Sequence, residues 1–209
     1  GISTEHTAYL NLKNGIPAPL SGSKKQNGKI LAEQIGGQIF IDTWGLCFPG
    51  EPEKAAEYGR TAASVSHDGE GIYGAAFFCA CIAEAFVSGE VEHIIETGLS
   101  QIPEESVYAK VSRAVMDFYH ENPEDWRACH DLLVRDWGYD KYRGVCHIIP
   151  NAGVCVLAML YGKGDFARTV EIATMCGWDT DCNAGNVGTV LGVMCGPEGL
   201  PKRYRKPVN

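Results

Sequence analysis

The sequence predicts an all-α protein, and three observations carry that prediction. Apolar residues recur at three-and-four spacing in one segment after another, no segment sustains period-two alternation, and prolines and glycines punctuate the periodic runs. Residues 1–28 are polar and turn-rich, with Pro17, Pro19, Gly22 and Gly28, and read as an arm or surface segment. Residues 29–209 read as a single all-helical domain. Its first helix is expected from Gly28 to Thr43, and Pro49 and Gly50 interrupt the series. A second helix, Glu51 to about Val65, restarts on Pro52 with two glutamates in the first turn, where the fixed φ and the macrodipole favour them. Ile72, Ala75, Ala76, Cys79, Ile82, Ala83 and Phe86 then trace the face of a buried helix that ends by Gly89.

Val107, Val111, Ala114, Val115 and Phe118 repeat the spacing between Pro103 and Pro123, and Trp126, Cys129, Leu133 and Trp137 repeat it again before Gly138. Pro150 and Asn151 open the run NAGVCVLAMLYG, too apolar for a surface helix and therefore expected to be central. Phe166, Val170, Ala173 and Met175 mark one more helix. The last begins at about Thr180 and carries two stripes, Val187, Leu191 and Met194 on one and Gly185, Gly188 and Gly192 on the other. An interior helical glycine costs roughly 1 kcal/mol against alanine. Three on one face predict that another backbone or a ligand approaches there.

Composition narrows the function. At 45% hydrophobic and 21% charged, 209 residues suffice for one sizeable core, which excludes disordered and fibrous classes. No apolar run reaches the roughly 18 residues that span a bilayer, so no membrane partner is expected. A formal charge of -8 argues against nucleic acid as a partner. Nine cysteines, an odd number lying mostly inside apolar patterns, read as reduced, cytoplasmic usage, and no CxxC pair supports a redox pair or an all-thiolate zinc site. The start GISTEHTAYLNLKNG carries neither a Met nor a charged-then-apolar leader and reads like the middle of a longer chain.

The tightest polar constellation is GWDTDCNAG, where Asp179 and Asp181 stand at the entry to the last helix. Both are favoured there simply as helix-capping residues. Two carboxylates so close also repel, and a divalent cation with oxygen ligands, Mg²⁺ or Mn²⁺, removes that repulsion. The first aspartate is not yet helical, so both side chains can turn to one centre. A second constellation, SVSHDGEGIYGA, spaces Gly69, Gly71 and Gly74 as GxGxxG, but it follows a helix and not a strand, so a Rossmann site is not expected. A helix amino end there can still receive a pyrophosphate, with His67 and Asp68 beside it; the plainer reading is a capped helix and a solvated histidine. His147 and Asn151 flank Pro150, and a packed histidine and an ordinary helix cap account for them equally.

The run PNAGVCVLAMLYGKGDFARTVEIATMCGWDTDCNAGNVGTVLG resembles the C-terminal signature of the ADP-ribosylglycohydrolase family. TAYLNLKNGIPAPLSGS, PGEPEKAAEYGRTAASVSHDGEGIYGA and GYDKYRGVCHIIPN are similar to segments of bacterial members, so the likeness runs from about Thr7 to Gly199. It implies an all-helical fold with two Mg²⁺ or Mn²⁺ ions that hydrolyses an N- or O-glycosidic ADP-ribosyl linkage to a protein or small acceptor, releasing ADP-ribose. It implies metal ligation by Asp179, Asp181 and Cys182, and substrate binding by His67, Asp68, Gly69, Gly71, His147 and Asn151. The family has threonine at the position of Cys182, so sulfur replaces an oxygen donor there. It also has an acidic Thr-Asp-Asp element near its N-terminus and a carboxylate for proton transfer, whereas residues 1–40 hold only Glu5 and Glu33 as acids. The general base is therefore expected upstream of Gly1, and the chain is expected to be the C-terminal two thirds of the family fold. The two departures also favour an alternative, a non-catalytic ADP-ribose- or nucleotide-binding or structural member of the same fold.

Overall fold

The computed structural model describes residues 3–206, and among them every regular element is helical. Two helices form the centre. α7 (Glu70–Ala85) and α11 (Ile148–Gly162) are apolar on nearly every face, and all fifteen residues of α11 are buried. A helix hydrophobic all round has to be enclosed. α9 (Val107–Glu121), α10 (Trp126–Trp137), α12 (Phe166–Met175) and α13 (Thr180–Gly199) enclose α11, while α5 (Asp42–Leu46), α6 (Pro52–Ala63) and α8 (Val91–Leu99) enclose α7. Side chains such as Phe77, Ile82, Leu157 and Met159 are removed from water altogether, about 1.5–3 kcal/mol each by area. α6 and α7 approach closely because Gly59 has no side chain, and a Cβ there would lie 2.5 Å from the Cys79 sulfur.

Several expected elements coincide with observed ones. α10 and α12 begin behind Asp125 and Asp165, whose carboxylates accept from the backbone N–H three residues on, at 3.0 and 2.7 Å. α11 starts at Ile148, two residues before Pro150, because His147 and not Asn151 occupies the cap.

Three expectations are corrected. Residues 4–13 of the expected arm are helix α1 (Thr4–Lys13), initiated by Ser3, whose hydroxyl accepts from the His6 N–H at 3.2 Å. The Thr4 hydroxyl donates to the Leu31 carbonyl at 2.7 Å, which docks α1 on the domain, and Gly1 and Ile2 lie outside the described residues. The single helix expected from Gly28 to Thr43 is three short ones, α3 (Lys29–Ala32), α4 (Gly36–Ile39) and α5, preceded by α2 (Lys24–Asn27). It breaks because the Glu33 carbonyl and the Ile35 N–H bond sideways instead of along the helix axis. The Ile35 N–H donates to the Cys146 carbonyl at 2.8 Å, and the Glu33 carbonyl accepts from Ile148 at 3.1 Å. The glycine stripe of α13, finally, is not approached by another backbone, which corrects the protein half of that expectation. Nothing lies within 4 Å of a Cβ built on Gly185, and at Gly188 and Gly192 the nearest atoms are at ordinary distances of 3.8 and 3.7 Å.

Candidate active site

The site is built on the turn between α12 and α13. Gly177 and Trp178 both take the left-handed conformation, with φ of +74° and +57°, and reverse the chain so that Asp179 enters α13. A tryptophan at positive φ costs on the order of 1–3 kcal/mol and persists only where its surroundings hold it. Here the indole packs edge-on to Tyr139 and against His130, with ring centres 5.4 and 5.5 Å away. Asp179 occupies the N-cap position, yet its side chain makes no capping bond, so the plain capping account fails for it. A carboxylate oxygen from each of Asp179 and Asp181 and the sulfur of Cys182 lie within 4.8 Å of one another. Neither carboxylate pairs with a described cation.

Asn151 anchors the turn from α11. Its Nδ2 donates to the Tyr139 hydroxyl at 2.7 Å and to the His147 carbonyl at 2.9 Å, and its Oδ1 accepts from the Asp179 N–H at 3.2 Å and from Asn183 Nδ2 at 2.9 Å. All four of its hydrogen-bonding positions are used, so this fully buried amide orients the aspartate turn and has nothing left for a substrate. A buried network does the same from the other side. Gln38 of α4 accepts from the Tyr108 hydroxyl and donates to Asn186, while Asn186 and Thr189 both donate to Asp42, which ties α4 and α5 to α13. Burial raises the Asp42 carboxyl above its ordinary range against those two bonds.

A cavity of ≈ 860 Å³ opens beside the turn, walled by Asp179, Cys146, Gln34, Glu5, Ile35 and Phe40 among others. Its rim is apolar and exposed, with Phe40 at 66% and Val145 at 91%. Cys146 comes from the loop before α11, and its N–H donates to Gln34 Oε1 at 2.9 Å. The thiols of Cys146 and Cys182 both stand against the Asp179 carboxylate. Burial and then that carboxylate push them up to about 11 and about 12.

His67 lies behind this cavity. Its ring is buried, Nδ1 is 2.8 Å from the Ser66 hydroxyl, and Nε2 is 3.6 Å from Oε1 of Glu5. Burial lowers its pKa to about 4 against the opposing pull of Glu5, so the imidazole is neutral. Gly36 separates the two, and a Cβ there would fall on the Glu5 carboxylate and the imidazole.

Asp68, Gly69 and Gly71 pack against residues 24–33. Asp68 accepts from the N–H of Lys24 at 2.9 Å and of Gly69 at 2.7 Å, which joins the His67 loop to α2. Gly69, at φ +56°, leaves room for the Glu33 carboxylate, and a Cβ on Gly71 would lie 2.7 Å from the Ala32 carbonyl oxygen. These glycines serve close packing, and the GxGxxG spacing opens no cradle. The amino end of α7 is already occupied. The Glu33 carboxylate stands there beside the N-cap Gly69, and Glu70 accepts from the N–H groups of Val107 and Tyr108 at the start of α9. A protein carboxylate thus stands at the helix end that the sequence offered either as a plain capped helix or as a pyrophosphate site.

His147 caps α11 through Nδ1, which accepts from the Ile149 N–H at 3.2 Å, and points Nε2 toward Glu33 at 3.8 Å. Burial, then the nearby Lys29, lowers its pKa to about 4. It lines a second cavity of ≈ 260 Å³ with Lys29, Lys141, Tyr142 and Arg143. Of the residues read from the sequence, the structure therefore brings Asp179, Asp181 and Cys182 together with Asn151 beside them, sets buried His67 behind the cavity-lining Glu5, and packs Asp68, Gly69, Gly71 and His147 around Lys24 and Glu33.

A family model described as ADP-ribosylglycohydrolase matches residues 1–209. The chain belongs to the ADP-ribosylglycohydrolase family. Membership indicates ADP-ribosylglycohydrolase-type activity on ADP-ribosylated substrates in general, and the all-helical architecture agrees with it. The chain matches no curated protein and no solved structure. No helix among the described residues is long and apolar enough to cross a membrane, and all nine cysteines are free thiols.

Against a family centre that is typically metal-dependent, the donor set is informative. Two carboxylates neutralise one divalent ion. The thiol beside them is a soft donor, and the Thr180 hydroxyl is turned to the Trp178 carbonyl at 3.4 Å. Two carboxylates could hold one divalent ion, with water completing the sphere of a hard ion, and the thiol adds a soft donor beside them. Sequence reasoning missed Cys146, Glu5 and Glu33, which stand 33 or more residues from Asp179 and carry no local signal.

Proposed function

We propose that this protein is a metal-dependent hydrolase of an ADP-ribosyl N- or O-glycosidic linkage and releases ADP-ribose from a protein or small-molecule acceptor. One observation carries the reading: Asp179 and Asp181 converge without a cation partner, and Asp179, free of any capping bond, forms part of the wall of the large cavity. A divalent ion held by the pair would supply Lewis-acid chemistry to the ribose hydroxyls and an attacking water. The Mg²⁺ or Mn²⁺ pair that the sequence likeness implies has oxygen donors here for one ion. The protein's own residues do the rest. Asn151 and Trp178 hold the aspartate turn in one geometry, the exposed apolar rim offers surface to a substrate's base or acceptor, and neutral His67 backs Glu5 in the cavity wall. His147, Asp68, Gly69 and Gly71 act one layer out by shaping the loops that meet the substrate.

The test is turnover of ADP-ribosyl arginine and ADP-ribosyl serine substrates with added divalent ion. Asp181→Ala, on an exposed position of the first turn, should lower the rate by about 10²–10³ while leaving the far-ultraviolet dichroism and the melting temperature in place. Unchanged turnover in Asp181→Ala would remove the reading. Cys182 in place of an oxygen donor favours one other outcome, a non-catalytic member. That reading gains if calorimetry detects ADP-ribose binding while no substrate is turned over.

A further inference from the structure

We propose that the smaller cavity, between α3 and the loop before α11, is a second binding site and takes a hydroxyl-bearing phosphomonoester. The proposal goes beyond the reading above and does not depend on it, since neither aspartate lines this cavity. Its mouth is cationic in a chain of net charge -8, bordered by Lys29, Lys141 and Arg143. Lys141 leans on its neighbour Asp140, whereas Arg143 is exposed and makes no ion pair with a described residue. A free guanidinium fork with two ammonium groups beside it matches the oxygens of a phosphate. At ≈ 260 Å³ the cavity lies just below the about 300–1,000 Å³ of drug-sized ligand sites, which suits a small phosphomonoester and excludes a dinucleotide.

The floor of the cavity supplies a second, independent argument. The His147 side chain is only 6% exposed, and its Nδ1 accepts from the Ile149 N–H, so the neutral ring carries its proton on Nε2. That N–H faces Oε2 of Glu33 at 3.8 Å, beyond bonding reach. The Glu33 carboxylate is buried too, and Lys24 and Lys29 balance its charge from 3.7 and 3.8 Å without closing on it. Glu70, the other carboxylate here, is spent on the N–H groups of Val107 and Tyr108. A buried donor and a buried acceptor thus stand across a gap too wide for a direct bond, and one hydroxyl oxygen fills it by accepting from His147 and donating to Glu33. Tyr142, stacked on Trp137 at 7° between planes and packed on His147 with ring centres 5.1 Å apart, keeps the imidazole in that direction. The same loop lends Gly144, Val145 and Cys146 to the wall of the large cavity, so it partitions the two sites.

Calorimetric titration of the metal-free 209-residue protein with glycerol 3-phosphate tests this without reference to turnover. Expected is one-to-one binding at least about tenfold tighter than that of orthophosphate, with shifts of the His147 ring resonances in NMR spectra as the ligand is added. Arg143→Gln, an exposed loop variant that should leave the melting temperature in place, should weaken glycerol 3-phosphate at least about tenfold. His147→Asn should abolish the advantage of glycerol 3-phosphate over orthophosphate while orthophosphate itself binds as before. Asp181→Ala should bind glycerol 3-phosphate as the parent protein does. Orthophosphate bound as tightly as glycerol 3-phosphate would overturn the proposal in favour of a plain anion site. Binding indifferent to Arg143→Gln, binding lost in Asp181→Ala, or no binding at all would overturn it as well, and turnover of ADP-ribosyl substrates decides the aspartate reading separately.

Discussion

Replacing Asn151 by alanine tests how the aspartate turn is held. The substitution deletes four hydrogen bonds of 2.7–3.2 Å at a fully buried position. Two of the abandoned partners are donors with no other described acceptor, the Asp179 N–H and Asn183 Nδ2. A buried polar group left without a partner costs about 1–3 kcal/mol, so the pair predicts a loss of about 2–6 kcal/mol. For a chain of this size that is on the order of 10 °C in melting temperature. Urea unfolding at fixed m-value measures it directly. Adding Asn183→Ala removes one of the stranded donors, so the double variant should be less destabilised than the sum of the singles, by about 1 kcal/mol. A loss below about 1 kcal/mol for Asn151→Ala, or strict additivity in the cycle, would refute the claim that this amide clamps the turn.

Two glycine substitutions should move stability in opposite directions. Gly185→Ala, at an open helical position, should stabilise by about 0.5–1 kcal/mol, whereas Gly37→Ala would drive a methyl group onto the Gly71 carbonyl and cost about 1–3 kcal/mol or more; equal melting temperatures for the two would contradict both. The buried histidines set an acid limit. His67 and His147 hold folded pKa values of about 4 against 6.5 unfolded, so as pH falls from 6.5 toward 4 the unfolded chain takes up protons that the folded one refuses. Stability present above pH 6.5 is then lost across that window, about 3 kcal/mol per histidine. The raised carboxyls of Glu33 and Asp42 bind protons more readily when folded and offset part of it. Denaturant melts at pH 7 and pH 5 check the sign, and His147→Asn, which keeps a capping side chain, should flatten the dependence.

Much of the helical framework was readable in advance. α10 and α12 carry both an amphipathic stripe and an aspartate at the entry, two signals confined to a dozen residues. The segment after Gly28 misled because Leu31, Ile35 and Ile39 satisfy helical spacing while its backbone pairs with residues 146 and 148, a contact no local pattern encodes. The glycines of α13 misled for a different reason. Their cost is local and visible, but whether anything packs on them is decided by neighbours, and here the neighbours stand at ordinary distance or are absent.

By itself the amino-acid sequence determined the all-helical class, the two enclosed helices, and an Asp-x-Asp-Cys cluster at a helix entry, because periodicity, caps and i to i+3 proximity are properties of single segments. Only the tertiary structure decided what meets that cluster and what does not. Burial of α7 and α11 brings Asn151 and Cys146 to Asp179 from 28 and 33 residues away in the chain, and it sets the Glu33 carboxylate beside Gly69 at the amino end of α7. Such pairings form where desolvated polar groups must find partners, and the partner is whichever residue the packed core delivers.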